Sequence, residues 1–238
     1  RGINAAYYTS VEFMDKNVGI VLSALRQAGL EDDTLVIYTG DHGYMLGHHG
    51  RFEKHCSYDP AVSAPLILRY PPRFPRGRVV HALTEFVDIV PTVLEVCGLP
   101  VPDRVQGRSL LRVAGGQTEE HREHVIVEYA HNDEIMIRDD RYKLTYQRGK
   151  RVRDDGYDPK RPLPGPTFKF FDLQEDPGEF RNIITAPEHQ ERIARFKRLL
   201  ADHIRRTQRL PGILPETDDP DAVLEAGVQP HDVQSANE

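Results

Sequence analysis

A chain of 238 residues can form one large domain or two modest ones, and 39% hydrophobic with 29% charged residues is a globular composition. Of the formal net charge of −6, the stretch from Leu210 to Glu238 contributes −7, with seven acidic residues and no Lys or Arg; the rest is nearly neutral, and no clustered basic surface points to nucleic acid. No run approaches the ~18 consecutive apolar residues of a membrane span, and the opening RGINAAYYTS lacks the charged-then-apolar pattern of a secretion signal.

In chain order, Val11, Met14, Val18, Val21, Leu22 and Leu25 recur at spacings of three and four. They predict a helix over about Ala5 to Gln27 with one apolar face, closed by Gly29. The apolar run Leu35-Val36-Ile37-Tyr38 reads as a buried strand of a parallel sheet, completing half of a crossover unit. A second strand is expected over Ala64 to Tyr70, stopped by Pro71-Pro72, and a helix over Ile89 to Cys97, with Asp88 suited to cap it. Gly115-Gly116 reads as a linker. Beyond it the texture changes to four short strand candidates, Val125–Tyr129, Ile135–Arg138, Tyr142–Tyr146 and Phe168–Phe171. Asp139-Asp140-Arg141 suits a hairpin turn between the second and third. Short strands without interleaved helices predict a small antiparallel sheet. A last helix from Glu188 to Thr207 carries Ile193, Phe196, Leu199, Leu200 and Ile204 on one side. The Pro-rich acidic tail from Pro211 reads as disordered, and the segment GKRVRDDGYDPKR as a solvated loop. Cys56 and Cys97 are the only cysteines and make no disulfide framework; both read as structural, Cys97 as a buried small residue.

The stretch that carries chemistry is LVIYTGDHGYMLGHHGRFEK, from Leu35 to Lys54. The strand ends at Thr39-Gly40, and Asp41 and His42 follow, where open α/β sheets gather their working groups. Adjacent residues of a regular strand point to opposite faces. The two can therefore serve one ion only because Gly40 and Gly43 release the backbone from strand geometry. Four His between Asp41 and His55 invite a structural zinc site, yet their spacing fits no closed tetrahedral set. Taken alone, the Asp-His pair is a weak metal signal, and Lys54 would pass for a surface lysine.

In its order of motifs, this chain resembles the second half of the sulfatases, within the alkaline-phosphatase-like superfamily. GDHGYMLGHHGRFEK is followed by AVSAPLILRYP, EFVDIVPTVLEVCGLP, QGRSLL and FDLQEDPGEFRNI, and the resemblance covers roughly residues 5 to 208. It implies that Asp41 and His42 are ligands of one divalent metal, Ca2+ foremost. Sulfatases more often have Asn where His42 stands, and an imidazole also admits Mg2+, Mn2+ or Zn2+. It further implies that Lys54 binds the sulfate and serves in catalysis, since charge gathers on the ester's outer oxygens in the transition state. His49 orients the loop or the substrate by the same resemblance, whereas His48 and His55 read as exposed and structural.

The implied fold is α/β. Residues 1–115 would form the C-terminal part of an alkaline-phosphatase-like sheet sandwiched by helices, 116–210 a small antiparallel sheet with a C-terminal helix, and 211–238 a tail. The family's early metal-binding Asp residues and its C/S-x-P-S/A-x-R motif, whose Cys or Ser becomes formylglycine, are not in this sequence. The expectation is therefore a portion of a metal-dependent sulfatase acting on a small-molecule or saccharide sulfate ester, inactive until joined to its N-terminal half. Two alternatives stand beside it: a portion of a phosphonate or phosphate ester hydrolase of the same superfamily, and a non-catalytic protein that binds an anion or a partner chain.

Overall fold

The computed structural model describes residues 2–129, 133–149 and 165–228. The segment expected to be a solvated loop, from 150 to 161, lies outside them, as does the end of the acidic tail from 229. The chain forms two compact units. One comprises Arg1–Asp41, Leu46–Phe52 and Ala64–His121, the other His42–Met45, Glu53–Ser63 and Arg122–Glu238. The motif stretch is thus shared out between them.

In the first unit, helix α1 spans Gly2–Gln27 and closes at Gly29, whose φ of 69° is the left-handed cap conformation. A three-ten turn then leads into strand β1, Val36–Thr39. Strand β2, Leu66–Arg69, pairs with β1, Ile37 opposite Leu68 and Tyr38 opposite Ile67. This pairing is antiparallel, which corrects the parallel strand expected from the apolar run. Nor is the strand buried: Val36, Ile37 and Tyr38 are half-buried and Thr39 is exposed, so an unbroken apolar run fixes neither direction nor burial. The apolar stripe of α1 is likewise formed without being covered, since no residue of the helix is buried.

Helix α3 spans Ile89–Val96. Asp88 does not cap it, contrary to expectation. Its own φ and ψ are already helical, because a three-ten turn over Phe86–Asp88 runs directly into α3. The fully buried Asp88 carboxylate instead accepts from Glu85 N at 2.9 Å and Arg108 N at 2.8 Å, and meets His121 Nε2 at 3.1 Å. Cys97 is exposed rather than buried, because it lies in the C-terminal turn that leaves α3 for Gly98. The short α4, Leu111–Ala114, completes this unit.

The second unit is built on four antiparallel strands in sequential order: β3 Val125–Tyr129, β4 Glu134–Arg138, β5 Tyr142–Gln147 and β6 Thr167–Asp172. The hairpin turn is made as the sequence suggests, with Asp139 Oδ1 accepting from Arg141 N at 2.9 Å and Tyr142 N at 2.6 Å. Alternation along the strands sends Ile135, Ile137, Leu144, Tyr146 and Phe170 to one face, against Ile193, Phe196, Leu200 and Ile204 of α5, Gln190–Thr207.

Helix α6, Pro220–Gly227, closes over the same core and corrects the expectation of a tail disordered from 211 onward. Acidic composition disfavours folding only where too little apolar surface can be buried. Here Val223 and Leu224 are fully buried, Asp219 caps the helix by accepting from Asp221 N at 3.0 Å, and Lys197 pairs with Asp221 at 2.7 Å.

Candidate functional site

The short helix α2, Asp59–Val62, ends a segment that runs from Glu53 to Ser63 in the second unit, alongside His42–Met45. The two pieces are stitched together by backbone bonds: Gly43 N donates to Ala61 O at 2.8 Å and Met45 N to Glu53 O at 3.1 Å. Side chains reinforce the seam, since Met45, Cys56 and Ala61 are buried against one another with Tyr58 packed on them. Cys56 is therefore a small apolar packing residue, as the sequence suggests. Glycine is required at position 43 for another reason than a turn. A Cβ there would stand 2.0 Å from Pro60 O and 2.7 Å from Ser63 O.

This stitching brings His42 and Lys54 together. Lys54 Nζ meets His42 Nε2, and His42 Nδ1 lies 2.7 Å from Gly43 O. A carbonyl can only accept, so Nδ1 carries the proton and Nε2 presents its lone pair. That is the tautomer in which a histidine ligates a cation through Nε2. His42 is half-buried and Lys54 exposed.

Asp41, the residue before His42, is exposed and belongs to the first unit, just past the end of β1. His49 belongs to that unit as well. It lies in the turn His48–Gly50 with a φ of 52°, a left-handed backbone costly for a residue with a Cβ. Its ring meets that of His48 edge-on, with centroids 4.6 Å apart. Asp41 and His42 are chemically apt for a divalent cation, one hard carboxylate and one imidazole with the right lone pair. Among the described residues, no group of three His, Cys, Asp or Glu side chains is arranged to hold a metal.

Local sequence reading missed the residues that hold this loop. His55 Nδ1 meets the hydroxyl of Tyr129 on β3. Glu134 of β4 accepts from Ser57 N at 3.1 Å, and Lys169 of β6 reaches Tyr58 Oη at 3.1 Å. Asp59 is gripped hardest, by Arg138, Lys143 and Glu179. A lysine alternating with Tyr142 and Leu144 reads as a solvent-facing strand residue, so nothing local betrays its burial.

The model for "N-sulphoglucosamine sulphohydrolase, C-terminal" matches residues 47–206 of this chain. The chain belongs to the sulfatase family. A curated N-acetylglucosamine-6-O-sulfatase from Bacteroides thetaiotaomicron is 29% identical over 203 residues, which is 82% of this chain and 34% of that protein. The solved structure of a protein bound to its substrate, D-glucosamine-2-N,6-O-disulfate, has 28% identity and a TM-score of 0.70, covering 82% of this chain and 39% of the other. A phosphonate monoester hydrolase from Silicibacter pomeroyi has 30% identity and a TM-score of 0.66, covering 86% and 41%. The chain therefore spans less than half the length of the curated relatives it matches. The sulfatase resemblance and the mixed α/β architecture read from the sequence both stand. No described helix is long and apolar enough to cross a membrane.

Proposed function

We propose that this chain supplies the sulfate-holding half of a sulfatase acting on a sulfated saccharide, and that Lys54 is the residue that receives the sulfate. The observation that carries this reading is the meeting of Lys54 with His42, inside a stretch whose order of motifs and family match are those of sulfatases. An ammonium has three N–H donors, and His42 accepts one. The remaining donors suit the outer oxygens of a sulfate ester, where negative charge grows as the ester bond breaks. His42 presents a single lone pair, so it can accept from Lys54 or serve a cation, one at a time.

Asp41 and His42 would be this chain's ligands to one divalent cation, Ca2+ foremost, with Mg2+, Mn2+ or Zn2+ also suited to the mixed donors. When bound, such a cation polarises the sulfate and draws charge from it. His49 is assigned to orienting the loop or the substrate. The formylglycine nucleophile that the family resemblance implies is not among this chain's residues. The chain by itself is accordingly expected to bind rather than turn over. The substrate class rests on the similarity to an N-acetylglucosamine-6-O-sulfatase and to a structure bound to D-glucosamine-2-N,6-O-disulfate.

The test is a titration of the full chain with inorganic sulfate and with glucosamine 6-O-sulfate, followed by NMR at the Lys54 and Gly43 amides. Binding should weaken about tenfold or more in Lys54→Ala, the usual cost of losing a charge-assisted hydrogen bond. Unchanged affinity in that variant would remove Lys54 from the sulfate site. The similarity to a phosphonate monoester hydrolase favours a second reading, in which the ester is a phosphonate or phosphate. Tighter binding of methylphosphonate than of sulfate would select it.

A further inference from the structure

The second face of the β3–β6 sheet carries charged groups that nothing in the proposed chemistry uses. Alternation places Glu134 and Arg138 of β4 and Lys143 of β5 opposite the face that packs on α5. The Lys143 side chain is fully buried, as is that of Glu179, and their charges lie 2.7 Å apart. An ammonium withdrawn from water is costly unless its partners are close and well aimed. Lys143 donates its hydrogen bond to Asp59 Oδ1 at 2.9 Å, while Glu179 Oε1 is close in charge but accepts no hydrogen bond among the described residues. The other oxygen of Asp59 takes Arg138, and the Asp59 N–H donates to Glu179 Oε2 at 2.7 Å. Glu179 holds a left-handed backbone with a φ of 57°, a strained conformation for a residue with a Cβ. Strain and burial are thus both spent on one aspartate.

Asp59 occupies a strategic place. It begins α2, five residues after Lys54, and Pro60 and Ala61 follow it. Pro60 O abuts Gly43, and Ala61 O accepts from Gly43 N. Gly43 in turn supplies the carbonyl that fixes His42. Whatever sets the position of Asp59 therefore sets both partners of the His42–Lys54 pair, one through each arm of the loop.

We propose that Lys143 and Glu179 are positioning residues: they clamp Asp59 so that the loop presents His42 and Lys54 to one another. Within the proposed sulfatase reading they govern how well the anion is held without touching it. The clamp itself rests on the geometry alone.

The test compares the full chain with Glu179→Gln and with the double variant Lys143→Met/Glu179→Gln. The double variant removes both buried charges while keeping their volume, so it leaves no lone ammonium behind. Two readouts are followed by NMR: the 15N and 1H shifts of the His42 imidazole, and the affinity for inorganic sulfate. The amides of β6, α5 and α6 report whether the core is intact. The clamp predicts that the imidazole shifts move and sulfate binding weakens about tenfold, a positioning-sized effect, with the core resonances unmoved. Unchanged imidazole shifts in either folded variant would overturn it, as would unfolding of both, which would make the network a folding device only. If the unsubstituted chain binds no sulfate, the functional reading fails while the imidazole shifts still decide the clamp.

Discussion

Gly43 and Pro60 approach so closely that a β-carbon on the glycine would stand 2.0 Å from the Pro60 carbonyl oxygen. The obstacle is backbone, so it cannot be relieved by turning a side chain. Gly43→Ala should therefore separate the His42–Met45 strip from α2 and cost about 1–3 kcal/mol, the range for overpacking a tight site. Urea unfolding followed by circular dichroism measures the loss. The same substitution should also weaken sulfate binding, since Gly43 O is the partner of His42. A variant as stable as the parent would show that the loop can open without penalty.

Breaking the buried ion pair from one side should be more damaging than neutralising it. Lys143→Ala leaves Glu179 buried with its charge opposed only through the Asp59 amide. A loss of roughly 3–5 kcal/mol is expected, the cost of an uncompensated buried charge. The neutral double variant should be distinctly more stable than this single one. The comparison of their denaturation midpoints is the check.

Acid should weaken the sheet at a definite place. Arg141 donates two bonds to Asp172 Oδ2, at 3.0 and 2.7 Å, and its guanidinium holds that carboxyl below the usual carboxylate range. A carboxylate depressed in the folded state stabilises above its unfolded value of about 3.9, and the gain is lost as pH falls through the folded one. The stability difference between the parent and Asp172→Asn should therefore shrink below about pH 4. Melting temperatures from pH 3 to 7 test this. A constant difference would show that the pair is not coupled to folding.

Alkali should act on a tyrosine. Tyr146 is 1% exposed, its hydroxyl has no hydrogen-bond partner among the described residues, and burial pushes its pKa up to about 12. A group raised in the folded state contributes stability that is complete below its unfolded value, near 10, and lost as pH climbs through the folded one. Stability should thus fall between about pH 10 and 12. Tyr146→Phe should abolish that part of the decline and cost little at neutral pH, since it removes a buried hydroxyl without a partner.

Helix α6 should behave as part of the core. Leu224 is fully buried in the cluster that joins α5 to the sheet. Leu224→Ala is expected to destabilise by about 2–5 kcal/mol, the sum of lost transfer energy and a cavity. A change within experimental error would mean that α6 docks only loosely.

Much of this was legible in the chain itself. The four strands of the second unit and its hairpin turn follow from alternation and from Asp139, and α5 follows from the spacing of Ile193, Phe196, Leu200 and Ile204. Lys54 was singled out as a candidate by the order of motifs rather than by periodicity. Three misreadings share one cause. The direction of β1, the burial of Cys97 and the fate of residues 220–227 all depend on what a segment meets. A local pattern records only that it can be buried. Asp88 failed differently: a residue that suits an N-cap was drawn into the helix, and its carboxylate was taken by Arg108 N and His121 from farther along the chain.

The sequence by itself pointed to helices α1, α3 and α5, to the four strands of the second unit, to the sulfatase kinship and to the candidate trio of Asp41, His42 and Lys54, because those rest on short-range spacing and on residues named in order. Tertiary structure alone decided that Lys54 faces His42, that Gly43 must be glycine, and that a strand lysine is buried against Glu179. Those facts depend on segments far apart in the chain arriving within hydrogen-bond distance. A buried charge is tolerable only where such a partner arrives, and which partner arrives is written in the packing rather than in any local run of residues.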